Sequence, residues 1–155
     1  MQDYMQYEMK WRVQYYETDR MGIVHHSNYI RYFETARTEF IRQEGLPYES
    51  VEEMGVMIPV LGVSADYKTP AVYDEILSIS CRFIKLGYAS FELEYEVRNA
   101  ETGELHVRGW TRQAFTDKSL KPVAIRKAAP VVHEVFSRLY KESQESAGKR
   151  QTDEG

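Results

Sequence analysis

Met9, Trp11, Val13 and Tyr15 alternate with Lys10, Arg12 and Gln14, the period-two pattern of a half-buried strand. The alternation stops in the polar cluster Glu17-Thr18-Asp19-Arg20-Met21-Gly22, which reads as a turn. After His25-His26-Ser27-Asn28 the period lengthens. Tyr29, Tyr32, Phe33, Ala36, Phe40 and Ile41 fall at helical spacing, with Arg31, Glu34, Thr38, Glu39 and Arg42 off that stripe. Ser27 or Asn28 suits the N-cap, and Gly45 with Pro47 supplies a stop, so a long helix is predicted over 28–44.

Most of the remainder is strand-like. Ile58, Val60, Gly62, Val63, Ala65 and Tyr67 form a second strand with one break in alternation, ended by Thr69-Pro70. Leu77, Ile79, Cys81 and Phe83 alternate with Ser78, Ser80 and Arg82. Phe91, Leu93, Tyr95 and Val97 alternate with Glu92, Glu94, Glu96 and Arg98. A hairpin loop at 99–104 leads into a fifth strand over Leu105–Phe115, and a last helix is expected over 130–141. This order excludes a purely parallel α/β fold and favours an α+β fold, an antiparallel sheet with one face buried on a long helix. Residues 1–141 read as a single domain. The segment 142–155 has no large apolar residue and reads as a polar, frayed tail.

Composition narrows the class. At 155 residues, 43% hydrophobic and 28% charged, the chain suits one globular core rather than a disordered, fibrous or disulfide-stapled protein. The net charge of −4 gives no basic excess for general nucleic-acid binding. Cys81 is the lone cysteine, so no internal disulfide forms, which fits a reducing cytoplasm. Met1 to Met9 lacks the apolar run of a signal peptide, and no stretch approaches a membrane-spanning length.

The informative stretch is Tyr15 to Arg37. Asp19 sits in the turn after a strand, and His26 lies just before the predicted helix. Amides at a helix start are unpaired and carry partial positive charge, which suits a developing oxyanion. A carboxylate facing them could attack a carbonyl or activate water against it. Asp is also common in turns, so spacing alone leaves both readings open.

The run Tyr-x-Glu-Thr-Asp-x-Met-Gly-Ile-Val-x-His-x-Asn-Tyr, covering Tyr15 to Tyr29, resembles the 4-hydroxybenzoyl-CoA thioesterase branch of the hotdog-fold family, which includes acyl-CoA thioesterases associated with the Tol–Pal system. The likeness continues through Phe33-Glu34, Ala36-Arg37-Thr38-Glu39, Ile58-Pro59-Val60 and Tyr67-Lys68-Thr69-Pro70-Ala71, and spans roughly Lys10 to Arg138. It implies a hotdog fold, a five-stranded antiparallel sheet wrapped around a long central helix with a C-terminal helix added. It implies thioester hydrolysis releasing a carboxylic acid and CoA, with no metal and no organic cofactor.

By the same resemblance the catalytic carboxylate falls on Asp19 and the carbonyl-polarising amide on His26, whose side chain has a catalytic part in some relatives. Tyr15, four residues before the carboxylate, matches a helper tyrosine. The family's sites lie between subunits, so Val60 to Ser64 of a partner should face the thioester. A homo-oligomer, a dimer of dimers, is expected. Tyr29, in the first helical turn, is a candidate for the acyl pocket. Asp19 could be nucleophile or general base. Alternatives are an acyl-carrier-protein thioesterase, or a non-catalytic acyl-thioester sensor. Hotdog regulators usually carry an added DNA-binding segment, whereas about nine residues precede the first strand here, and the retained Asp19 also argues for chemistry over a sensor.

Other residues draw ordinary readings. Adjacent His25 and His26 point in different directions and find no zinc-like partners. His106 and His133 are expected at the surface, Glu34 and Glu39 exposed or ion-paired, and Arg37 in a structural ion pair on the helix. Lys85, Arg112, Lys118, Lys121, Arg126 and Lys127 could form a basic rim for CoA phosphates, or be solvated surface.

Overall fold

A computed structural model of the chain describes residues 4–154, with side chains through residue 148. Strand β1 (Tyr7–Arg12) is followed by helix α1 (Ser27–Gln43) and a short helix α2 (Tyr48–Glu53). Strands β2 (Val60–Tyr67), β3 (Ile76–Leu86), β4 (Ser90–Asn99) and β5 (Leu105–Ala114) come next, then α3 (Ile125–Ala128) and α4 (Pro130–Glu154). The five strands form one antiparallel sheet in the order β1-β3-β4-β5-β2, so β1 and β2 are its edges.

The inner face takes the alternate positions of β3, β4 and β5 and receives α1. Phe33 stacks on Tyr95 with ring centroids 4.4 Å apart, and Phe40 meets Phe83 at 5.8 Å. Phe136 of α4 closes one end of the core against Phe83 and Phe91, both at 5.0 Å. Gly109 of β5 permits the close approach of α1. A methyl group there would lie 2.6 and 2.7 Å from two carbons of the Phe33 ring, and nearer still to the Ser64 carbonyl oxygen. The outer face is polar and laddered with charge. Arg82 pairs with Glu94 at 2.5 Å, and buried Glu96 is held by Arg98 at 3.1 Å and Arg108 at 2.9 Å.

The α+β architecture, with a sheet on a long helix and a C-terminal helix, follows the sequence pattern, and four details differ. Neither Ser27 nor Asn28 caps α1. The Ser27 hydroxyl engages His25 Nδ1 at 2.8 Å, and Asn28 Nδ2 donates to the Glu17 carbonyl at 2.8 Å, leaving His26 as the flanking residue. Helix α4 does not fray at Lys141 but continues to Glu154. Ser143, small enough to lie against β3, is buried; its hydroxyl donates to the Phe83 carbonyl at 2.6 Å and accepts from Arg82 at 3.0 Å. His106 is not on the surface. The β4–β5 register steps from Val97↔Val107 to Arg98↔Leu105, so His106 is the extra residue of a bulge and turns inward. Helix α2, with Val51 alone buried, carries too little periodicity to be read in advance.

Candidate active site

The turn that carries Asp19 is a miniature hairpin. Thr18 bridges Val24, and the Asp19 amide donates to the Ile23 carbonyl at 2.9 Å. Gly22 closes the turn onto the Asp19 carbonyl at 3.0 Å with φ +79°, a conformation that suits glycine. The Asp19 Oδ1 accepts the Met21 amide at 2.8 Å. Its second oxygen has no protein donor among the described residues.

The hairpin is fastened to its surroundings at several points. The Val24 amide donates to the Ala71 carbonyl at 2.9 Å, and the His25 amide to the Glu17 carbonyl at 2.8 Å. Glu17 is buried, and its carboxylate accepts Trp11 Nε1 at 3.0 Å and the Gln14 amide at 2.8 Å. The start of α1 follows directly. The Ser27 amide donates to His25 Nδ1 at 3.2 Å, Asn28 to the His25 carbonyl at 2.9 Å and Tyr29 to the His26 carbonyl at 3.4 Å. The His26 amide alone of this group finds no acceptor among the described residues.

Asp19, His26 and Tyr29 line one cleft of about 310 Å³, together with Tyr67, Lys68 and Thr69 from the end of β2 and the loop after it. The Tyr67 hydroxyl donates to the His26 carbonyl at 3.4 Å, and the Tyr67 ring lies 6.2 Å from His26 and 5.7 Å from Tyr29. The Tyr29 hydroxyl accepts the Ala71 amide at 3.4 Å, and burial pushes its ionisation up, so it remains a neutral wall. Lys68 forms no ion pair among the described residues and supplies the cleft's cation. Asp19, His26, whose amide has no acceptor among the described residues, and Lys68 thus line one solvent-accessible cleft. That set can polarise a carbonyl, deliver a base or nucleophile, and attract an anionic substrate.

Residues 13–139 match the family described as the thioesterase-like superfamily. The chain belongs to that superfamily. Among its relatives, a putative acyl-CoA thioesterase, YneP of Bacillus subtilis, is 34% identical over 130 residues, covering 83% of this chain and 94% of that one. The acyl-CoA thioester hydrolase YbgC of Escherichia coli is 27% identical over 117 residues, covering 76% and 87%. The crystal structure of DHNA-CoA thioesterase from Staphylococcus aureus superposes with a TM-score of 0.84 at 29% identity, covering 90% of this chain and 93% of that one. The fold is the hotdog thioesterase fold that the motif implied.

Within this thioesterase-like chain the expected site residues separate. Asp19, His26 and Tyr29 converge. Tyr15 is 78% exposed and packs edge-on against Tyr73 at 5.6 Å, away from the cleft lining. Val60 lines a second cavity of about 370 Å³, with Arg37, Ile41, Val51 and Phe91, and Ser64 lies on β2 opposite Trp110. Arg37 donates to the Tyr95 hydroxyl at 3.2 Å instead of forming the expected helix ion pair, while Glu39 pairs with Arg42 at 3.3 Å. Among the described residues, no three His, Cys, Asp or Glu side chains gather as a metal would need, and no helix is long and apolar enough to cross a membrane. Sequence reasoning missed Tyr67, Lys68 and Thr69 as cleft residues. The available signal was a polar break in alternation just before Pro70, at a strand end.

Proposed function

We propose that the protein is an acyl-CoA thioesterase, with Asp19 as the catalytic carboxylate and the His26 amide as the oxyanion donor. The single observation that supports this reading is that Asp19 and His26, whose N–H is unpaired among the described residues, line one cleft of a thioesterase-like fold. A thiolate is a good leaving group, so one carboxylate and one oxyanion site suffice. In the general-base route, Asp19 takes a proton from water and the hydroxide adds to the thioester carbon. The oxyanion rests on the His26 N–H; collapse expels the CoA thiolate, which recovers the proton from Asp19. In the nucleophilic route, Asp19 forms a mixed anhydride with loss of the thiolate, and water then cleaves it. Tyr29 borders the acyl group, and Lys68 suits the phosphates of CoA.

Tyr15, exposed and close to Asp19 in the chain, is assigned to the rim. Val60 and Ser64 lie on the open edge strand β2, where Val60, Leu61 and Val63 are exposed. Such an edge fits pairing with a second protomer, and both residues are assigned to that protomer's cleft in a dimer of dimers acting in the cytoplasm.

The test is thiol release from short, medium, long and aromatic acyl-CoA esters, beside matched acyl-carrier-protein esters. Wild type should turn over at least one acyl-CoA, and Asp19→Asn should reduce that turnover by 10²-fold or more, about the scale of a lost catalytic group. Full activity in Asp19→Asn refutes the assignment. Turnover of carrier-protein esters alone refutes the CoA substrate, and tight acyl-CoA binding without turnover shows a sensor. In single-turnover hydrolysis in ¹⁸O-water, label in Asp19 marks the anhydride route with water attacking the Asp19 carbonyl.

A further inference from the structure

Behind the Lys68–Thr69 wall of the cleft lies a buried polar cluster that the proposed chemistry does not use. His106 is 1% exposed, and the Glu75 side chain 9%. His106 Nε2 is hydrogen-bonded to Glu75 Oε2, which also accepts Asn99 Nδ2 at 3.0 Å, and Glu75 Oε1 accepts the Val72 amide at 3.1 Å. On its other side His106 Nδ1 lies 2.9 Å from the Thr69 hydroxyl and 3.2 Å from the Thr69 carbonyl oxygen. The His106 carbonyl accepts the Lys68 amide at 2.7 Å and the Thr69 amide at 3.3 Å.

The groups around the ring suit a proton on each nitrogen. The Thr69 hydroxyl lies 2.9 Å from both the Leu105 carbonyl and Nδ1; when its proton goes to Leu105, Nδ1 faces acceptors, the Thr69 carbonyl and Glu104 Oε1 at 4.0 Å among them. On the other side, each Glu75 oxygen accepts a separate donor, from Val72 and Asn99, an arrangement that suits a carboxylate accepting from Nε2. A β-bulge is a device that re-aims one side chain, and here it turns a buried ring against Thr69, a residue of the cleft wall.

We propose that His106 is a positioning residue, a doubly protonated ring clamped between Glu75 and Thr69 that sets the place of the Lys68–Thr69 wall against Asp19. It touches no substrate and acts through the loop. The inference rests on the proposed hydrolase reading for its kinetic consequence, and on the hydrogen-bond geometry alone for the clamp.

The test uses the full chain with Thr69→Val and Glu75→Gln, the first nearly isosteric, so that loss of fold in one leaves the other. Nitrogen-15 spectra of the His106 ring should show both nitrogens protonated in wild type. Amide exchange at Lys68 and Thr69 should quicken by about tenfold or more in each folded variant, with α1 unchanged. With an acyl-CoA that wild type hydrolyses, kcat/KM should fall by about 10–10²-fold, the cost of a misplaced wall. A ring protonated on one nitrogen, or unchanged exchange at Lys68 and Thr69, overturns the clamp. Normal kcat/KM despite faster exchange overturns its part in the reaction. Ring and exchange readouts need no turnover, so the clamp stands or falls on them even if the hydrolase reading fails.

Discussion

Replacing His26 with proline removes one atom group of interest, the unpaired N–H. Proline fixes φ near −65 ± 15°, and His26 already has φ −54°. No protein hydrogen bond is lost, because that amide has no acceptor among the described residues. The helix start tolerates proline, and His25 before it lies outside the helix. The His26 carbonyl, which accepts Tyr29 N and Tyr67 Oη, is untouched. His26→Ala is the control, since it deletes the ring and keeps the amide. Loss of one oxyanion donor costs about 10²–10³ in kcat, or about 2.7–4 kcal/mol of transition-state stabilisation. The expected result is therefore a His26→Pro enzyme about 10²–10³ slower than His26→Ala in thiol release at saturating acyl-CoA, with equal far-UV spectra and similar Tm. A folded proline variant that matches the alanine variant in kcat would refute the oxyanion assignment.

Three further outcomes follow from the fold. Gly109→Ala drives a methyl into the Phe33 ring and the Ser64 carbonyl, so overpacking should cost about 1–3 kcal/mol and lower Tm by about 2–4 °C per kcal/mol, measured by thermal melts. Burial opposes the charge of Glu96, but the Arg108 and Arg98 hydrogen bonds outweigh it and hold the carboxyl below its usual range. Its stabilising contribution is present above the unfolded value near pH 4.3 and is lost as pH falls through the lower folded value, so Glu96→Gln should destabilise at pH 7 and converge with wild type in strong acid, read by denaturant midpoints. Cys81 is fully buried and its thiol pushed well up by desolvation, so iodoacetamide should leave the native protein unlabelled and modify it on unfolding.

How much of this was legible depended on whether one local pattern could carry the information. The strand alternation of Phe91 to Val97 and the helical stripe of Tyr29 to Ile41 are intrinsic to short windows, and both appear where expected. Asp19 and His26 were findable because the motif from Tyr15 to Tyr29 is contiguous. Lys68, Thr69 and Tyr67 reach the same cleft through the β2–β5 pairing, a relation no window of the sequence contains. His106 broke the rule that polar strand positions face water, because a bulge between Leu105 and Val107 shifts the alternation by one. Ser143 shows the converse: a small polar residue reads as tail, yet its hydroxyl fits against a strand carbonyl where a larger side chain would not.

Glu17 gives the site a property that its neighbours do not reveal singly. Its side chain is tied to Trp11 and Gln14, and its carbonyl holds both the His25 amide and the Asn28 side chain. The first turn of a helix ordinarily frays, and a donor on a fraying turn must be frozen each time a ligand arrives. Here the freezing is completed during folding, by contacts from strand β1 and from the 3-10 turn Tyr15–Glu17 that follows it. The entropy of ordering the His26 N–H is thereby charged to folding stability rather than to binding, and affinity for a ligand can be set by its other contacts.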